Sequence, residues 1–136
     1  MLRALCVWVV VLVLAACDRS GPAPEEPVWG KQPCANCAML LSEKAHGAQV
    51  LTAEGDRLFF DDLGCLVAWS TDKKPPVAQW VRTSDTQAWL TTDRAHFAPA
   101  AHTPMDFGFV ATTQSGPLDW SHVTDAVHRK LQSKQE

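Results

Sequence analysis

A chain of 136 residues with 12 basic and 15 acidic side chains, a net charge of −3, is long enough for one small domain, or for two interlocked halves sharing a core. The composition offers no basic patch, which excludes nucleic acid as an expected partner. Its five cysteines include two in the first 17 residues, and the three left over are too few for a disulfide scaffold.

The first stretch, Met1 to Cys17, has one early cation in Arg3, an unbroken apolar run, and small residues ahead of a cysteine. That is the form of a secretory signal, not of a transmembrane helix. Its ending, Leu14-Ala15-Ala16-Cys17, looks like a bacterial lipoprotein box, which implies removal of 1–16 as a signal peptide and lipidation of the Cys17 thiol. An uncleaved membrane anchor is the alternative, since the apolar run, though short, is not too short for a tilted span. Asp18 resembles the signal that keeps such lipoproteins in the inner membrane, so the expected location is the periplasmic face of the bacterial cell membrane. Cleavage removes Arg3 and Cys6 and leaves 11 basic against 15 acidic residues, a net −4 over 120 residues.

Segment 17–33 is proline-rich and lacks apolar periodicity, and it reads as a flexible tether. At about 3.1 Å per residue it reaches roughly 50 Å from the membrane. Val28 and Trp29 are too apolar for a spacer and are expected on the edge of the domain, which occupies 34–136. There Cys34, Cys37 and Met39 gather three sulfur side chains into six residues. Thiolate and thioether are soft ligands that favour a soft cation such as Cu(I). If the chain is extended at Cys37-Ala-Met39, two of these side chains share a face, and a turn through Pro33 and Asn36 brings in Cys34. A Cys34–Cys37 disulfide, structural or redox-active, is the competing reading in an oxidising compartment. A closed zinc site fits less well, because it wants four ligands and the chain has one such pair.

Ala48 to Thr52 and Arg57 to Phe60 flank a glycine-containing loop of hairpin length and are expected to pair antiparallel. Asp61 or Asp62 caps a helix carrying Leu63, Leu66, Val67 and Ala68, which stops at Lys73-Lys-Pro-Pro76. Cys65 in that apolar helix reads as a buried small hydrophobe. Further strands are predicted at Val77 to Thr83, Gln87 to Thr91, Ala95 to Ala98 and Met105 to Thr113, with a loop at Pro99 to Pro104. Ser121 caps a last helix with Val123, Ala126, Val127 and Leu131 on one face, and Arg129 and Lys130 at the end where the helix dipole favours cations. The order hairpin, helix, strand thus runs from Ala48 to Thr83 and again, without a closing strand, from Gln87 to Leu131. The fold class is α+β, two small ββαβ-like halves with the second truncated.

Met39 and Met105 each read either as core filler or as ligand. His102, three residues before Met105, either completes a trigonal site or is solvated. The other histidines form no paired zinc motif, and there is no nucleophile elbow, phosphate loop or dinucleotide fingerprint, so no enzyme is expected.

In order behind the lipobox come Cys34-Ala-Asn-Cys-Ala-Met39, Phe60-Asp-Asp-Leu-Gly-Cys65, Trp89-Leu90 and Pro104-Met-Asp-Phe-Gly108. This ordered set resembles the NosL family, the copper-binding accessory lipoproteins of nitrous oxide reductase, over roughly 33–127. The resemblance implies two ββαβ-like halves and a Cu(I) site drawn from Cys37, Met105 and Met39, with Cys34 or His102 entering during exchange. It also implies partnership with nitrous oxide reductase and its maturation machinery at the inner membrane. The family usually has glycine where this chain has Ala38. If that position needs a positive φ, alanine strains the turn. The alternatives are a periplasmic thiol-disulfide protein using Cys34 and Cys37, and a structural lipoprotein that binds a partner.

Overall fold

The structure, a computed structural model, describes residues 21–135. The expected signal peptide, 1–16, and the expected lipidation site at Cys17 lie outside the described residues. Among the described residues no helix is long and apolar enough to cross a membrane.

Strands β1 (Ala48–Leu51) and β2 (Arg57–Phe60) form the expected hairpin, in register from Ala48 opposite Phe60 to Leu51 opposite Arg57. Gly55 at φ 93° supplies the left-handed residue of its turn. Helix α1 (Leu63–Ser70) follows, and β3 (Ala78–Arg82) returns antiparallel to β1 on the side away from β2. The first half is therefore ββαβ. Strand β4 (Trp89–Thr91) pairs with β3, giving the sheet order β2-β1-β3-β4. This corrects the expectation that β4 opens the second half. The Thr83 to Gln87 turn, closed by Thr83 N–H to Ala88 O and Gln87 N–H to Thr83 O (both 2.9 Å), folds it back on its predecessor.

The second half is a hairpin of β5 (His96–Pro99) and β6 (Phe109–Thr112) followed by α2 (Trp120–Ser133), and among the described residues no closing strand follows, as expected. Helix α2 is capped by Asp119, not Ser121, because the Asp119 carboxylate accepts the His122 N–H at 3.0 Å. A parallel bridge between Thr83 and Ala111 joins the halves, and α1 packs on α2 over a shared core of Phe60, Leu63, Leu66, Phe97, Val123 and Val127. Trp69 stacks on Phe60 at 5.6 Å and Trp120 on Phe97 at 5.4 Å, so aromatic bulk closes both edges of this core.

The tether expected over 17–33 is shorter than its sequence suggests, since from Ala23 onward the chain is strapped to the sheet. Glu25 exchanges backbone bonds with the buried Gln49 side chain (2.9 and 2.8 Å), and its carboxylate pairs with Arg57 at 3.2 Å. Glu26 accepts from Arg82 (2.5 Å), Trp29 Nε1 (2.7 Å) and Trp89 Nε1 (3.1 Å). The Arg82 guanidinium lies over the Trp29 and Trp89 rings at 5.6 and 5.2 Å. Proline richness hides this docking because its partners are charges and indoles instead of a periodic apolar face. Trp29 packs on the core edge as expected, whereas Val28 is 58% exposed.

Candidate metal centre

The strap leads directly into the sulfur-bearing loop. Pro33 and Leu40 bridge antiparallel, Cys34 N–H donates to Met39 O (2.7 Å), and Ala38 N–H donates to Cys34 O (3.0 Å), closing a tight turn. Ala38 sits at φ 62°. The chain is therefore not extended at Cys37-Ala-Met39, which corrects the expectation that Cys37 and Met39 share a strand face. Met39 is 59% exposed instead. The turn is pinned to the sheet by Ala35 N–H donating to Phe59 O at 2.8 Å. That contact sets the loop beside the start of α1.

The first turn of α1 is held from two directions. Asp62, fully buried, caps it by accepting Gly64 N–H (2.9 Å) and also accepts Thr103 Oγ1 (2.6 Å) and Met105 N–H (3.0 Å). Asp61 accepts from Ser42 N–H at 2.7 Å and from the Ser42 hydroxyl, tying α1 to the segment just after the loop. Phe107 lies flat against Gly64, where a Cβ would fall 1.9 Å from its ring. Capping thus accounts for Asp62, as the sequence suggested, while Asp61 faces the other way.

These constraints bring the sulfur atoms of Cys34, Cys37 and Cys65 within 4.8 Å of one another. All three are free thiols. Cys34 and Cys65 are buried and Cys37 is half-buried. Three thiols so grouped can hold a metal ion. The Cys65 thiol donates to the Cys34 sulfur, and the backbone N–H groups of Cys37, Asp61 and Asn36 add to it. Against the opposing effect of burial, these donors bring Cys34 from the ordinary thiol value of 9.0 down to about 5. Cys65 moves the opposite way, raised first by its hydrogen bond to Cys34 and then by burial. Burial likewise pushes Cys37 up, with the Cys34 charge adding to it. Cys34 is therefore the first thiol of the cluster to lose its proton, and Cys37 and Cys65 hold theirs more firmly than ordinary thiols.

The methionine and histidine candidates sit around this trio. Met105 does not begin a strand. It lies in the Thr103 to Asp106 turn, tied through its N–H to Asp62, and its side chain is partly buried against the core that contains Cys34 and Cys65. His102 is exposed and is not among the three residues whose ligand atoms cluster. The residue that sequence reasoning passed over is Cys65. It is buried as expected, but it faces two other sulfurs. The usable signal was the cap itself, since a helix starting at Leu63 behind Asp62 carries Cys65 in its first turn, at the end nearest the hairpin edge. No family model, no curated protein and no solved structure matches the chain.

Proposed function

We propose that the chain is a membrane-anchored Cu(I) carrier, not an enzyme, held by a lipid on Cys17 at the periplasmic face of the cell membrane. Its cargo serves assembly of the copper site of nitrous oxide reductase. Cys34 and Cys37 supply thiolate charge, Met105 brings a thioether from the second half, and the exposed Met39 and His102 meet the metal as it leaves. The observation that carries this reading is the donor set. The close group is all sulfur, with no carboxylate or imidazole in it, which favours Cu(I) over the harder divalent ions. The half-exposed Cys37 gives an incoming ligand a point of attack.

The test is competition of Cu(I) and Zn(II) for the reduced protein against chromogenic chelators under anaerobic conditions. Cu(I) is expected to bind far more tightly, and equal or tighter zinc binding would sink the carrier reading. The depressed Cys34 thiol favours a second reading, thiol-disulfide exchange with Cys37. Against it, Cys34 is only 2% exposed, so a substrate disulfide has no path to the attacking sulfur. Insulin-reductase activity lost in both Cys34→Ser and Cys37→Ser would favour exchange.

A further inference from the structure

We propose that Cys65 is the third ligand of the metal and that the resting site is a trigonal trithiolate with a buried floor and one open edge. This rests on the Cu(I) reading above and refines its donor set: in the resting site Cys65 takes the third position, and the Met105 thioether joins only during exchange. A metal at the centre of three sulfurs, with bonds of about 2.3 Å as in zinc thiolates, needs sulfur pairs separated by about 4.0 Å. The apo trio, with every pair within 4.8 Å, needs only small side-chain adjustments to close on an ion. A linear two-sulfur site would instead set its pair about 4.6 Å apart on opposite sides of the metal and give the third sulfur no part.

The surrounding structure fixes Cys65 where such a ligand must stand. Its helix turn cannot swing away, because Asp62 is bonded to the 103–105 turn and Phe107 lies against Gly64. Cys65 belongs to the apolar core, yet its sulfur also lies within 4.8 Å of those of Cys34 and Cys37, a grouping that core filling does not require. Cys34 at 2% and Cys65 at 0% exposure form the floor, and the half-buried Cys37 forms the edge. A partner's donor therefore approaches past Cys37, next to the exposed thioether of Met39. Cys37 is the first bond to exchange and Cys34 with Cys65 the last to let go.

The test uses the full reduced chain in detergent micelles, loaded with one equivalent of Cu(I) and kept anaerobic. X-ray absorption at the copper edge counts sulfur neighbours in the wild type, in Cys65→Ser and in Cys65→Ala, with circular dichroism to check each fold. The Ala variant covers the case in which a buried hydroxyl disturbs α1. The expected result is three sulfurs in the wild type, two in either variant, and a rise in the Cu(I) dissociation constant of about tenfold or more. Three sulfurs retained in the variants would assign the third position to a thioether and overturn the proposal. Two sulfurs in the wild type, unchanged on substitution, would overturn it and leave the carrier reading intact. Failure of the wild type to bind Cu(I) would end both.

Discussion

Removing the Asp62 carboxylate should unlock the two halves of the domain from each other. Its side chain caps α1 and satisfies both the Thr103 hydroxyl and the Met105 amide from the second half. Loss of a cap costs about 1 kcal/mol, and each buried donor left unpaired costs about 1–3 kcal/mol. Asp62→Ala should therefore lose about 3–7 kcal/mol, a large share of the 5–15 kcal/mol typical of a whole domain. Asp62→Asn, which keeps an acceptor, should lose less. Thr103→Val removes the donor to Asp62 and also the acceptor of the long Gly108 N–H bond (3.3 Å), and should lose about 1–3 kcal/mol. The two residues share one hydrogen bond, so the Asp62→Asn and Thr103→Val effects should fall short of additivity by about 1 kcal/mol in urea denaturation of the reduced protein. Strict additivity, or an Asp62→Ala protein as stable as the wild type, would refute the interlock.

Two further outcomes follow from the loop. Ala38 at φ 62° holds a conformation costing an L-residue about 1–2 kcal/mol, so Ala38→Gly should relieve more strain than glycine adds in chain entropy and gain about 0.5–1 kcal/mol, while Ala38→Val should lose stability. Thermal denaturation checks both, and a Gly variant no more stable than the wild type would count against the left-handed turn. Cys34 is depressed from 9.0 to about 5 in the folded state, so between these values the unfolded chain holds a proton that the folded one does not. The reduced apo protein should then gain stability as pH rises from about 5 toward 9 and lose it as pH falls through 5. Cys37 and Cys65, both raised, act in the other sense only above the ordinary thiol range. Cys34→Ser should flatten this slope, and thiolate absorbance in the ultraviolet should show one thiolate at neutral pH in the wild type and none in the variant.

The strands and helices were legible because each is short, apolar and bounded by its own turn chemistry. Gly55 announces the first hairpin, and Asp62 and the Lys73 to Pro76 run bracket α1. Legibility ends where the determining contacts are polar and distant. The pairing of β4 with β3 is made by the Thr83 to Gln87 turn, whose left-handed residue is Gln87 and not a glycine that would announce it, and by the distant bridge from Thr83 to Ala111. The strap from Ala23 escapes notice for a similar reason, since its Glu26 finds Arg82 and Trp89 across 56 and 63 residues. At the site, Cys34 and Cys37 are conspicuous by spacing. Cys65 is invisible as a ligand until the edge of β2 sets the loop against the helix start. Ala38 adopts the positive φ at which an alanine strains the turn.

The adjacent pair Asp61 and Asp62 explains how motifs so far apart come to one place. At φ −142° and ψ 144° Asp62 is in the extended conformation, and in an extended chain neighbouring side chains point to opposite sides. Asp61 therefore reaches Ser42, just beyond the Cys34 to Leu40 loop, while Asp62 reaches Thr103 and Met105. The Asp61–Asp62 pair at the head of α1 thus ties the segment after the thiol loop on one side, the methionine turn on the other and Cys65 in the helix it starts. A change at either aspartate should disturb the sulfur cluster through a different neighbour. Substituting Asp61 should loosen the Cys34 loop and leave Met105 seated, whereas substituting Asp62 should free the Met105 turn and leave the Cys34 turn, closed by its own backbone bonds, in place.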